Sequence, residues 1–136
     1  MTSTKLCSID TNVLVRYIAR DDDIQAGMAT RLIESDGFKA LVTLPVLVET
    51  IWVLMRLYDI GKDQVVHLVE VLLYSGKFSV QNMSEVDNAL QRYKQCTADF
   101  SDCLMIALSK EIGDSDMTIY SFDKGAIKAG MSKIEI

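Results

Sequence analysis

The stretch KLCSIDTNVLVRYIA, Lys5–Ala19, decides how the rest of the chain is read. Its first part, Lys5–Ile9, is a short run that reads as a buried strand. Asp10-Thr11-Asn12 follows, three residues suited to a turn or a helix cap, and then an apolar helix from Val13 to Ala19. The same strand-to-helix pattern recurs along the chain. Asp21-Asp22-Asp23 breaks the first helix and can cap a second, Ile24 to Ser35. Phe38–Leu44 reads as a strand, and Pro45 opens PVLVETIWVLMRLY at the first helical position, where a missing N–H costs nothing. Ile60-Gly61 ends that helix, and Asp63 to Tyr74 forms another. Phe78–Gln81 is a third strand. Ser84 and Asp87 resemble a capping box for a helix to about Cys96. SDCLMIALSKEIG, starting at Ser101, is a helix closed by Gly113. Met117–Ser121 reads as a fourth strand, Asp123 to Ala129 as a short helix, and Ser132–Ile136 as an edge strand. Short strands alternating with helices predict an α/β domain with a mainly parallel sheet of four to five strands.

The 136 residues suit one domain, 1–136, and 49% hydrophobic composition supplies a core. No apolar run approaches the ~18 residues of a membrane span, and the opening MTSTKLCSIDTN does not read as a signal peptide. Three cysteines, Cys7, Cys96 and Cys103, without a C-x-x-C pair, point to reduced thiols in a cytoplasm. His67 is the sole histidine, which excludes a two-histidine ribonuclease mechanism and, with no C-x-x-C pair, argues against a Cys/His zinc site of the usual type. The net charge of −5 argues on its face against phosphate binding. The excess, however, consists of 13 Asp against 6 Glu. Asp favours caps, turns and metal sites over helix surfaces, so some of these acids can hold a cation that reverses the local field.

Ligands of parallel α/β sheets bind beyond the carboxyl ends of the strands. Asp10 follows the first strand and Asp123 the fourth. Each also suits a cap, and Asp102, in the first turn of its helix, is favoured there by the helix dipole. Asp99 can be a solvated loop residue. Glu49 is the only acid in its 14-residue helix. Arg56, seven residues on, lies ~10 Å away along the axis, too far for a direct ion pair. A surface stripe of Glu49 and Arg56 is the alternative to a buried, partnered carboxylate. Two carboxylates 4 Å apart repel by about 4 kcal/mol at an effective dielectric of 20. A cluster of them at one sheet edge either takes up protons or binds a cation. Oxygen ligands without His or Cys select Mg²⁺ or Mn²⁺, the cations of phosphoryl chemistry.

The motifs S-I-D-T-N-V-L-V at 8–15, P-V-L-V-E at 45–49, D-F-S-D-C-L-M-I-A at 99–107 and Y-S-F-D-K at 120–124 resemble those of PIN-domain nucleases, and among them the VapC-type toxins of toxin–antitoxin pairs. The resemblance implies a three-layer α/β/α fold and an endoribonuclease using Mg²⁺ or Mn²⁺. It implies Asp10, Glu49, Asp102 and Asp123 as catalytic metal ligands, with Thr11, Asn12 and Ser121 in support. Asp99 is a further acid that competes with Asp102 for direct contact. The resemblance also implies a homodimer and a cognate antitoxin. The apolar faces between 45 and 75 exceed what one small sheet covers, which favours a dimer but also suits a filled monomer core.

The expected reaction is hydrolysis of an RNA phosphodiester, with Arg16, Arg20, Lys124 and Lys128 guiding the strand. Two rivals remain open at this level. One is a phosphatase using an Asp10 nucleophile, disfavoured by Asn12 where a second aspartate is common. The other is a non-catalytic RNA- or protein-binding module.

Overall fold

The structure, a computed structural model, describes residues 4–136; the first three residues of the opening segment lie outside that range. The chain divides into two compact units that meet in sequence at Gln81 and Asn82. The first runs β1 (Lys5–Ser8), α1 (Thr11–Ala19), α2 (Asp23–Ile33), β2 (Phe38–Val42), α3 (Leu44–Leu57), α4 (Lys62–Tyr74) and β3 (Phe78–Val80). The second runs α5 (Met83–Lys94), α6 (Phe100–Ile112), β4 (Tyr120–Ser121), α7 (Lys124–Ala129) and β5 (Ser132–Lys133). The mixed α/β class and the parallel strands are as expected.

In the first unit the strands lie in the order β1-β2-β3, all parallel. Register places Cys7 beside Ala40 and Ala40 beside Phe78, while Val42 pairs with Val80. Ala40, Val42, Phe78 and Val80 are buried, so one face of the pleat supplies core. β1 is a sheet edge, and Lys5, Leu6 and Ser8 are exposed, against the expectation of a buried strand. Its neighbour on one side is β2, and among the described residues no strand pairs with its other side.

The helix starts follow local chemistry. Asp22 caps α2, its carboxylate accepting from the Gln25 N–H at 3.0 Å. Arg20 closes α1 in the left-handed region at φ 55°. Helix α3 begins one residue earlier than expected, at Leu44, which leaves Pro45 within the first turn, where it still removes no helical hydrogen bond. The Leu44 N–H is taken by the Gln81 side chain at 2.9 Å, which ties the end of β3 to the start of α3. Buried Leu47, Ile51 and Leu54 form the inner stripe of α3, and Val65, Leu68, Val69 and Leu72 that of α4. Trp52, Met55 and Leu57 remain exposed on α3, as do Val71 and Tyr74 on α4.

In the second unit α5 packs along α6 through Val86, Ala89, Leu90 and Tyr93 on one side and Phe100, Cys103, Leu104 and Ile106 on the other. Tyr93 and Phe100 meet edge to face, ring centres 5.6 Å apart. Helix α5 is not capped by Ser84. Its cap is Asn82, at φ 52°, whose side-chain amide donates to the Glu85 carboxylate at 3.0 Å. Asn tolerates that backbone region, which Ser seldom visits. The expected strand Met117–Ser121 shrinks to Tyr120–Ser121, paired in parallel with Ser132–Lys133. The Met117 N–H is bound in a turn to Asp114, which removes the start of that segment from any ladder.

Candidate functional site

Acids stand at or near helix starts in both units. In the first, the carboxyl edge of the parallel sheet carries Asp10 just beyond β1, where the Ile9 N–H still bonds to Leu41 of β2 at 3.2 Å. Asp10 caps α1: one carboxylate oxygen, Oδ1, accepts from the Val13 N–H at 3.0 Å. The capping role and a ligand role are compatible, since the cap uses one oxygen and holds the other at a fixed angle. Asp10 is exposed, and with Asn12, Val13, Met28 and Leu32 it borders a groove of about 540 Å³ between α1 and α2. Thr11 is half-buried at the first position of α1, and Asn12 is exposed.

Glu49 is the sixth residue of α3, a helix that starts at the same carboxyl edge and packs against α1. Rising 1.5 Å per residue, the helix carries Glu49 less than two turns from that edge. Its side chain is exposed, and Arg56 does not reach it. The Arg56 guanidinium instead lies over the Trp52 ring, 5.5 Å from its centre.

The second unit brings three acids together. Asp99 is the N-cap residue of α6 but makes no side-chain cap bond, so its carboxylate is not committed to the helix. Asp102 sits three residues on, half-buried in the first turn. Asp123 caps α7 through Oδ2, which accepts from the Ala126 N–H at 2.9 Å, and its own N–H donates to Ser121 Oγ at 2.9 Å. Ser121 thus fixes the turn from which Asp123 projects. A Cβ added to Gly125 would lie 3.9 Å from the Ala98 Cα, so the start of α7 is set close against the start of α6. Burial pushes the Asp102 carboxyl above its ordinary value; the charges of Asp99 and then Asp123 push the same way, and a hydrogen bond from the Asp99 backbone opposes them. Among the described residues, none of the three has a Lys or Arg partner within ion-pair distance.

That uncompensated negative charge is the chemistry a hard cation relieves. Among the described residues no three His, Cys, Asp or Glu side chains form a ready-made metal cage. Mg²⁺ does not require one: it keeps several waters and takes one or two carboxylates together with substrate phosphates. The donor set, all carboxylate and free of His or Cys, fits such an ion.

One sequence reading changes. Arg16 is not a spare cation for RNA. Its guanidinium bonds to Asp21 at 3.0 Å, to Gln25 at 2.9 Å and to the Tyr58 hydroxyl at 3.2 Å. Tyr58 itself donates to Asp21 at 2.5 Å, joining the α1–α2 turn to the end of α3. That anchor was missed, as was the Gln81 cap, because each joins residues about forty positions apart without a local signal. The Cys103 thiol is also unlike an ordinary one: burial, with Cys96 beside it, pushes it up to about 12.

Among the described residues no helix is long and apolar enough to cross a membrane. No curated protein and no solved structure matched the chain. The sequence profile of the PIN domain matches residues 8–130, a span that takes in Asp10, Glu49, Asp99, Asp102 and Asp123. The chain therefore belongs to the PIN-domain family, whose members are in general nucleases that use divalent metal ions.

Proposed function

We propose that this protein is an Mg²⁺- or Mn²⁺-dependent endoribonuclease, the toxin of a toxin–antitoxin pair acting in the cytoplasm, and that its two units work as one catalytic domain. The observation that carries the reading is the acidic trio of the second unit, with Asp102 raised above its ordinary value by burial and then by the charges of Asp99 and Asp123. The PIN match across both units supports their acting together.

In this reading Asp10, Glu49 and Asp102 hold the cation directly, and Asp123 completes the site. Asp99 is the alternative ligand to Asp102. A bound divalent ion supplies an activated water and neutralises charge on the phosphodiester. The protein's part is to hold the oxygens still. The Val13 N–H orients Asp10, while the Ala126 N–H and the Ser121 hydroxyl orient Asp123. Thr11 and Asn12 support the first turn, and the exposed Lys124 and Lys128 on α7 attract the RNA backbone. Single-stranded or loop RNA is the favoured substrate, because paired A-form RNA hides its bases.

The exposed apolar residues support protein partners. Trp52, Met55 and Leu57 on α3 with Val71 and Tyr74 on α4 suit a homodimer contact. The stripe of Ile24, Met28 and Leu32 along α2 suits an antitoxin segment reaching the groove beside Asp10. The test is incubation of purified protein with total RNA. A chelator should abolish cleavage and Mn²⁺ should restore it. Cleavage that survives chelation, or that is absent with every divalent ion tried, refutes the reading, the second outcome favouring a non-catalytic binding module.

A further inference from the structure

The turn between α5 and α6 sets two thiols in contact. Cys96 Sγ and Cys103 Sγ are 3.6 Å apart. Cys103 is fully buried on the first turn of α6, directly after Asp102. Cys96 is half-buried on the preceding turn, open to a small oxidant. The eight-residue segment they bracket contains both Asp99 and Asp102. A disulfide places its sulfurs ~2.05 Å apart, so the pair must close by about 1.5 Å.

We propose that Cys96 and Cys103 are a redox-modification site: a hydroperoxide joins them in a reversible intramolecular disulfide that displaces the Asp99–Asp102 segment. The Cys96 sulfur attacks the peroxide, the O–O bond breaks, and Cys96 gains the hydroxyl as a sulfenic acid. Its thiol proton leaves with the second oxygen, as water when the oxidant is hydrogen peroxide. The Cys103 sulfur then bonds to the Cys96 sulfur, the S–O bond breaks, and the Cys103 proton departs with the hydroxyl as a further water. Two thiols lose two electrons in all, and hydrogen peroxide is reduced to two waters. A small dithiol reverses the bond by exchange. Burial fixes the order: the half-buried Cys96 sulfur is oxidised first and the enclosed Cys103 sulfur resolves it, protected from further oxidation. Closing the sulfurs draws the turn bearing Asp99 against the helix bearing Asp102. Misplacement of a reacting group by about 1 Å costs roughly 10²-fold in rate.

The chemical part of this proposal stands without the nuclease reading; the effect on cleavage rests on it. The full chain is exposed to hydrogen peroxide, alkylated and analysed by intact and peptide mass spectrometry. The expected product has lost two hydrogens, joins the Cys96 and Cys103 peptides, carries alkylated Cys7, and reverts with dithiothreitol. Cys96→Ser should give no such product. Cys103→Ala should instead accumulate oxygen on Cys96; should that core variant not fold, the half-buried Cys96→Ser keeps the test complete. RNA cleavage should fall roughly 10²-fold on oxidation of the wild type, recover with reductant, and be unaffected in Cys96→Ser. Both cysteines remaining fully alkylatable, or Cys96 bonded to Cys7 or to a second copy, overturns the disulfide. A correct disulfide with unchanged cleavage overturns its coupling to the acids. A protein without any RNA cleavage fails the functional reading alone, since the mass readout is unaffected.

Discussion

Asp10 is assigned two roles that two substitutions separate. Its Oδ1 accepts the Val13 N–H at 3.0 Å, and its charge lies at the start of the α1 dipole. Asp10→Asn keeps a carbonyl oxygen at the capping position and loses only the charge, a cost of about 0.3–0.5 kcal/mol at an exposed helix start. Asp10→Ala loses the cap as well, a further cost of about 1 kcal/mol. At about 3 °C per kcal/mol for a chain of this size, the expected falls in Tm are about 1 °C and about 4 °C. On the proposed function both substitutions remove a negative ligand, so both should lower RNA cleavage by roughly 10²-fold or more. The assays are thermal melting by circular dichroism without divalent ions and cleavage of end-labelled RNA with Mg²⁺. Wild-type cleavage by Asp10→Asn would refute the ligand role. An Asp10→Ala melting curve identical to wild type would refute the capping role.

Two further outcomes follow from the charge arrangement. Asp102 is raised above its ordinary value of 3.8 by burial, then by Asp99 and Asp123, so the folded state holds more protons than the unfolded state in the window just above that value. Stability therefore falls as pH rises through the window. Asp102→Asn should melt above wild type at pH 7 without divalent ions, the gap should close as pH falls toward 3.8, and Mg²⁺ should raise the wild-type Tm alone; a gap independent of both pH and Mg²⁺ contradicts the charge crowding. Asp21 is held below 3.8 chiefly by the Tyr58 hydroxyl and also by Arg16. Tyr58→Phe should return it toward 3.8 in a carboxyl-carbon NMR titration, and an unmoved value would show that the hydroxyl does not govern it. The associated stability is present above 3.8 and lost as pH falls through the lower folded value.

The parts of this fold legible in the sequence are those dictated by neighbours a few residues apart. Asp10 and Asp123 sit where apolar periodicity changes from strand to helix, Asp22 sits in the polar break between two helices, and each bonds to an N–H three residues on. Pro45 marks the first turn of α3 for the same local reason. Non-local partners were not legible. The Arg16–Asp21–Tyr58 anchor and the Gln81 bond to Leu44 depend on contacts up to 42 residues apart, which periodicity does not encode. Ser84 reads as the cap from its capping-box spacing to Asp87, a pattern of side-chain types, whereas the backbone here turns left-handed at Asn82. The candidate acids were named from their placement after strands and from resemblance. What the sequence could not supply was the distinction among them: Asp99 uncommitted, Asp102 perturbed, Asp123 half-used by its cap.

The central claim of the proposed function is that the carboxylates named for the site hold a divalent cation. Anomalous diffraction from crystals of the full chain grown with Mn²⁺ measures this directly. The account predicts a manganese peak bonded to carboxylate oxygens of Asp10 and of Asp102 or Asp99, lost in crystals of Asp10→Asn. No peak at millimolar Mn²⁺, or a peak confined to acids of one unit and unchanged by Asp10→Asn, would contradict it.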